Sequence, residues 1–326
     1  MPSIKDVAKI AGVSPTTVSR VLNNRGYLSN EIKQKVYNAM KQLHYQPNQI
    51  ARALHNRKSN LFAVIVPDSS NPFFAELVQR LEEKSHDSGY RLVLCNSLSN
   101  AEKEHEYLKV LQGLNIDGLI VCSHLLQLND YESFPFPIVS FEKALLPSIP
   151  IVSSDNYKGG LLATRHLIEK GCKYILHISG PLDDYTLLGH DRFLAFSNYC
   201  EINNLKFDVI KTEKRFNFNY YLNFLSENVK DIRKYDGVFC SNDLLAYAYY
   251  CFAVSSGVKV PEECKIIGFD NSIFTKILQF PRITTIAQNT DKIADELISN
   301  LISQQSNKSK NVKVIVDVNL VEGTTT

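Results

Sequence analysis

Long uninterrupted hydrophobic runs are missing from this chain. The apolar stretch Leu61 to Val66, LFAVIV, is far shorter than the roughly 20 residues a bilayer-spanning helix needs. No secretory h-region opens the sequence, so a cytoplasmic protein with no membrane partner is expected. The seven cysteines are odd in number and contain no CxxC pair. A disulfide framework and a zinc site are therefore poor readings, and Cys95, Cys122, Cys240 and Cys251, in apolar stretches, read as buried thiols. Enzyme signatures are also lacking: no GxxxxGK[ST] loop, no HExxH and no GxSxG occurs. The first strand runs into Pro67-Asp68-Ser69-Ser70-Asn71-Pro72 rather than a glycine-rich turn, so the dinucleotide fingerprint is absent. His166, His177 and His190 are scattered and read as surface or core histidines. No catalytic residue, cofactor or metal ligand is assigned.

A charge excess is missing too, at +2 for the whole chain, until the chain is divided. Residues 1–60 hold ten basic and two acidic residues, a net +8, which leaves −6 for the rest. A small basic head on a mildly acidic body is the footprint of a nucleic-acid-binding module joined to a domain with another task. A solvated basic surface would give the same count.

The basic head opens with IKDVAKIAGVSPTTVSRVLN, Ile4 to Asn23. Ile4, Val7, Ala8, Ile10 and Ala11 fall on one face at helical spacing, Gly12 suits a turn, and Ser14-Pro15 opens a second helix. Ser14 can accept from the freed amides, and Pro15 takes the first helical position, where its missing N–H costs nothing. Val18, Val21 and Leu22 then face inward, leaving Thr16, Thr17 and Arg20 outward. That is a helix-turn-helix whose second helix suits a major groove, although an ordinary helical hairpin fits the same pattern. Ser29 can cap a third helix with Ile32, Val36, Ala39, Met40 and Leu43 along one stripe. The following Pro47 to Leu54 allows only about two helical turns, marginal alone in water, so it should order only against a partner. A plain linker is the alternative.

From Leu61 the texture changes to short apolar strands alternating with amphipathic helices, the pattern of a parallel sheet covered on both faces. Roughly ten strands are expected, with VKVIVDVNL as the last. That exceeds one comfortable sheet, so two α/β subdomains with a cleft between them are expected, and ligands bind in such clefts at the carboxyl ends of strands.

The series IKDVAKIAGVSPTTVSRVLN, YQPNQIARAL, VPDSSNPFFAEL, SDNYKGG, SGPL, SNDLLA, IIGFDN and ITTIAQ resembles, over essentially the full length, the lac repressor family of bacterial transcriptional regulators. The resemblance implies an α plus α/β chain: a three-helix helix-turn-helix headpiece at 1–46, a hinge helix and linker at 47–60, and a dimerising effector-binding body at 61–326. That body would hold two α/β subdomains of the periplasmic-binding-protein type, 61–160 plus 290–317 and 161–289 plus 318–326. Pro15, Thr16 and Arg20 fall where members read base edges; Pro15 departs from the polar or aromatic residue common there and should give up a contact. Leu54 falls where a leucine wedges into the minor groove at the operator centre.

For an effector, the family's positions carry over onto Phe73, Phe74, Glu142, Arg192, Phe216, Asn242 and Asp270. Planar Arg, Asn and carboxylate groups match sugar hydroxyls, and an aromatic ring covers the sugar's apolar face. Several have a structural alternative: Phe73 and Phe74 as core, Arg192 in a surface salt bridge, Asn242 and Asp243 as helix caps. Phe141-Glu142-Lys143 replaces the Asp-Arg pair common in the family, which makes the reach of Glu142 the open point.

VLNNRGYLS, YILHISGP and LVEGTTT are most similar to sucrose-operon repressors of low-GC Gram-positive bacteria. The expected function is repression of sugar-utilisation genes at palindromic operator DNA, controlled by a small sugar or sugar phosphate. A leucine-heptad tail is missing, so a homodimer is expected. A global carbon-catabolite regulator with a phosphorylated carrier protein as corepressor is the alternative within the class; a sugar-binding transport component or an α/β enzyme are alternatives outside it.

Overall fold

The computed structural model describes residues 2–23, 25–46, 58–122, 125–126, 128–131, 134–180, 189–213, 217–306 and 313–326. The expected hinge helix with Leu54, and Phe216, lie outside the described residues. The chain divides into two compact units, Met1–Ser59 and Asn60–Thr326.

In the first unit, helices α1 (Ile4–Ala11), α2 (Pro15–Leu22) and α3 (Asn30–Gln42) bury one small core. Ser3 and Asp6 form a reciprocal capping box at the start of α1. Gly12 turns the chain at φ +66°, a left-handed conformation that costs glycine nothing. Ser14 then accepts from the Thr17 amide at 3.1 Å, with Pro15 at the first position of α2. Val7, Ala8, Ala11, Val18, Val21, Val36 and Ala39 form the core. Ile10, expected on the inner face, is instead 44% exposed. At 100° per residue it lies roughly 110° round the helix from the centre of the Ile4–Val7–Ala8–Ala11 stripe.

The second unit holds two six-stranded sheets. The first contains β1 (Leu61–Val66), β2 (Arg91–Asn96), β3 (Gly118–Val121), β4 (Ile138–Phe141), β5 (Ile151–Ser154) and β11 (Lys313–Val316), in the order β11-β5-β4-β3-β1-β2. The second contains β6 (Tyr174–Ser179), β7 (Lys206–Lys211), β8 (Gly237–Cys240), β9 (Lys265–Asp270), β10 (Thr284–Gln288) and β12 (Val318–Val321), in the order β12-β10-β9-β8-β6-β7. Strands β3, β4, β5 and β8 are buried along their whole length, as strands covered on both faces must be.

Helices α4 (Pro72–Asp87) and α11 (Thr290–Gln305) cover one face of the first sheet, and α5 (Ala101–Gly113) covers the other. On the second sheet, α6 (Asn156–Glu169) and α7 (His190–Ile202) cover one face, α8 (Phe218–Asn228) and α9 (Asp243–Ser255) the other. A short α10 (Ile273–Ile277) follows β9. The chain passes between sheets three times: from β5 into α6, from β10 into α11, and from β11 to β12.

Among the described residues twelve strands thus replace the roughly ten expected, Thr284–Gln288 being one of the two added. VKVIVDVNL is two strands, divided at Asp317: β11 runs parallel to β5, whereas β12 runs antiparallel to β10 in the other sheet. Strand propensity continues through Asp317 and only the hydrogen-bonding partner changes, which sequence periodicity does not report. All seven cysteines are free, six buried and Cys251 half-buried. Burial pushes the Cys95 thiol up to about 11, so it stays protonated and inert. Among the described residues no helix is long and apolar enough to cross a membrane.

Candidate functional site

The carboxyl ends of the two sheets enclose a cavity of about 220 Å³. Phe73, Phe74, Glu142, Arg192, Asn242 and Asp270 all line it. Phe73 and Phe74 follow the Asn71 cap and Pro72 at the start of α4, and serve as core and cavity wall together. Phe73 stacks on Phe141 with ring centroids 5.8 Å apart.

Both carboxylates are aimed by unusual backbone. Glu142, just beyond β4, has φ +63°, and Asp270, ending β9, has φ +118°. Neither is a glycine, so each conformation costs energy that the surrounding packing must hold in place, a feature concentrated at ligand sites. Glu142 Oε1 accepts from the Ser154 amide at 2.9 Å and Oε2 from Asn156 Nδ2 at 2.6 Å. Burial pushes its carboxyl up, while the positive charge of Arg192 and these two bonds pull it down. Glu142 reaches the cavity wall, but both its oxygens are engaged by the protein.

Arg192, on α7, is part of the same chain of bonds. Its Nε donates to Asn156 Oδ1 at 2.6 Å and Nη1 to the Ser241 carbonyl at 2.8 Å. The guanidinium carbon lies 3.5 Å from the centroid of the Phe269 ring. Among the described residues Arg192 forms no ion pair within 4 Å, and none of them engages Nη2. Two glycines of α6 allow this approach. A Cβ on Gly160 would stand 2.9 Å from Arg192 Cα, and one on Gly159 would stand 2.6 Å from the Phe269 ring.

Asp270 Oδ1 accepts from Gln288 Nε2 at 2.7 Å, and Oδ2 has no donor among the described residues. Burial and the nearby Asp243 push its carboxyl well above the usual range, against the pull of Arg192. Gln288 Oε1 in turn accepts from Ser154 Oγ, so hydrogen bonds join Asp270 to Glu142 and Arg192 through the two crossover strands β5 and β10. Asn242 caps α9 by accepting from Leu245 N at 2.9 Å, and its Nδ2 donates to Tyr221 Oη at 3.2 Å on the cavity wall. Asp243 does not line the cavity; it accepts from Ser272 N and Thr285 Oγ1, fixing the turn after Asp270.

Sequence reasoning missed Asn156, Gln288, Ser154 and Tyr221. Asn156 and Gln288 stand in the SDNYKGG and ITTIAQ blocks at strand ends, the signal that could have found them; nothing local marks Tyr221. In the separate first unit, Pro15, Thr16 and Arg20 are exposed on α2. Thr17 is half-buried with its hydroxyl 2.9 Å from Ser14 Oγ, and Arg20 Nε donates to the Arg25 carbonyl at 3.4 Å.

A basic helix-turn-helix unit joined to a two-sheet body with a cleft of aromatic and polar side chains defines the class of a ligand-responsive DNA-binding regulator. Residues 3–48 match the model for bacterial regulatory proteins of the lacI family, and residues 164–326 that for the periplasmic binding protein-like domain. The sucrose operon repressor of Pediococcus pentosaceus is 36% identical over 99% of this chain and 99% of its own length. The ribose operon repressor of Halalkalibacterium halodurans is 36% identical over 88% and 86%. A periplasmic binding protein/LacI transcriptional regulator from Alkaliphilus metalliredigens, solved with D-xylulofuranose, superposes with a TM-score of 0.75 at 35% identity, over 82% of this chain and 99% of that one. The chain belongs to the lacI family of bacterial regulatory proteins, transcriptional regulators rather than enzymes.

Proposed function

We propose that this chain represses sugar-utilisation genes, sucrose genes first among them, by binding a palindromic operator as a cytoplasmic homodimer, and that an unphosphorylated sugar in the cleft changes its operator affinity. The observation that carries this reading is the cleft itself: Arg192 Nη2 and Asp270 Oδ2, which no described residue engages, beside the aromatic rings of Phe73 and Phe74. Paired hydroxyls on an apolar ring complement such a wall. Among the described lining residues Arg192 is the sole cation, and a wall without a cluster of cations favours a neutral sugar over its phosphate. The names of the relatives, repressors of sucrose and ribose operons, support a carbohydrate effector.

On the DNA side, Thr16 and Arg20, with Pro15 and Thr17 beside them, read the major groove, and 47–60 joins this headpiece to the body at 61–326 with Leu54 at the operator centre. Exposed apolar residues on one stretch of the body, Ile273, Ile277 and Phe280, support a second copy as partner. A ligand can move the operator equilibrium only by its differential affinity for the free and DNA-bound arrangements, so sugar and operator must affect each other reciprocally. Calorimetric titration of the protein with sucrose, fructose and ribose, each with and without its phosphate, tests the effector half. Binding of a phosphate in preference to its parent sugar would overturn the neutral-sugar reading.

A further inference from the structure

Among the described residues, His177 is the histidine whose ring both packs in the core of the second sheet and borders the cavity. It is 1% exposed, on β6, two residues before the strand ends. The ring stacks on Phe239 at 4.6 Å between centroids and lies 4.9 Å from Phe196, so its plane is held by aromatic packing. Its Nδ1 is 2.9 Å from the Phe239 carbonyl oxygen. A carbonyl oxygen only accepts, so Nδ1 carries the hydrogen and donates it.

The tautomer follows. Burial among phenylalanines and the positive charge of Arg192 oppose a second proton, and the ring's pKa falls to about 4. At neutral pH the imidazole is therefore uncharged, and Nε2 holds a bare lone pair. No donor among the described residues meets Nε2, while the ring lines the cavity. An acceptor that opens on the cavity is met by water until a ligand hydroxyl replaces it.

We infer that His177 is a ligand-contacting, specificity-determining residue of the cleft, whose Nε2 accepts a hydrogen bond from one hydroxyl of the bound sugar. The inference rests on the sugar-binding reading of the cleft. Asp270 offers a second polar group from β9, and β8 lies between β9 and β6. Two strand spacings, roughly 10 Å of sheet, separate the two strands, so the two groups meet different hydroxyls. Unlike a carboxylate, a neutral imidazole nitrogen carries no net charge, and as a hydrogen-bond partner it can only receive a hydrogen, so it selects for a hydroxyl that donates. A sugar lacking that hydroxyl would leave Nε2 unsatisfied, and this kind of mismatch discriminates strongly between close analogues.

The test titrates the full-length protein with sucrose, fructose and ribose by calorimetry, for the wild type, His177→Phe and His177→Gln. Nitrogen-15 spectra of the wild-type imidazole are recorded before and after saturation. Phe keeps the aromatic stack and removes the acceptor, so the sugar that binds the wild type should bind His177→Phe roughly tenfold more weakly. In the free wild type Nε2 should resonate as an unprotonated nitrogen and move upfield when that sugar is added, a change that a merely structural role would not produce. Equal affinity for wild type and His177→Phe, or an Nε2 resonance unmoved at saturation, overturns the inference while leaving the cleft a sugar site. If His177→Phe fails to fold, the wild-type spectra decide. No binding of any of the three sugars to the wild type overturns the sugar-binding reading, and the inference with it.

Discussion

The guanidinium of Arg192 lies against Phe269, its central carbon 3.5 Å from the ring centroid, and the same ring rests on the bare backbone of Gly159. The cleft's cation is therefore held on three sides, by an aromatic face, by Asn156 and by the Ser241 carbonyl, before any ligand arrives. A planar fork fixed in this way has little rotamer entropy left to lose on binding. Arg192→Ala should abolish the effector response and leave operator affinity intact. A variant that still responds at wild-type sugar concentrations would place the effector elsewhere.

Glu142→Gln tests the support behind that fork. Glu142 accepts at both oxygens, from Ser154 N and Asn156 Nδ2. Glutamine offers one acceptor, so its amide would face the Asn156 amide donor to donor. If Asn156 turned over to relieve this, it would present its own donor to Arg192. Effector affinity should fall by about 1–3 kcal/mol in calorimetry. Unchanged affinity would show that Asn156 does not position Arg192.

Gly159→Ala places a Cβ 2.6 Å from the Phe269 ring. The ring belongs to a fully buried core, so the strain should cost about 1–3 kcal/mol of stability in urea unfolding. It should weaken effector binding as well, because Phe269 carries Arg192. Loss of stability with wild-type effector affinity would break the proposed link between the glycine and the site.

Arg20→Ala should weaken specific operator binding by roughly 1–3 kcal/mol and relax the preference at one base pair per half-site. Operators changed one base pair at a time, compared at one salt concentration, show whether the preference moves. A uniform loss across all of them would assign Arg20 to phosphate instead.

The protonation of His177 gives a pH signature. Its folded pKa, about 4, lies below the ordinary value of 6.5, so the unfolded chain binds the proton more readily. The neutral ring's contribution is present above pH 6.5 and is lost as pH falls towards 4, up to about 3 kcal/mol. In thermal unfolding between pH 7.5 and 4 the wild type should therefore lose more stability on acidification than His177→Phe. Parallel curves would mean that the ring does not titrate with folding.

The two-sheet body was legible because its strands are short apolar runs separated by amphipathic helices, a pattern that local sequence alone carries. The headpiece was legible through Gly12, Ser14 and Pro15, whose conformational preferences act within a few residues. What escaped depends on partners distant in the chain. Nothing in VKVIVDVNL shows that Val316 pairs in one sheet and Val318 in the other. Asn156 and Gln288 matter because crossovers bring them to Glu142 and Asp270, and His177 reads as an ordinary core histidine until Phe239 fixes its tautomer. Ile10 was misplaced for a simpler reason, a stripe drawn too wide.

The most direct test is operator binding by fluorescence anisotropy at fixed salt, with and without sucrose, fructose, ribose and their phosphates. The DNA is a palindromic site upstream of the protein's own gene cluster, and salt is fixed because phosphate contacts dominate raw affinity. A shift in operator affinity with one unphosphorylated sugar, absent in Arg192→Ala, is the predicted result. Tight operator binding indifferent to every sugar would contradict a sugar-controlled repressor and point instead to a protein corepressor such as a phosphorylated carrier.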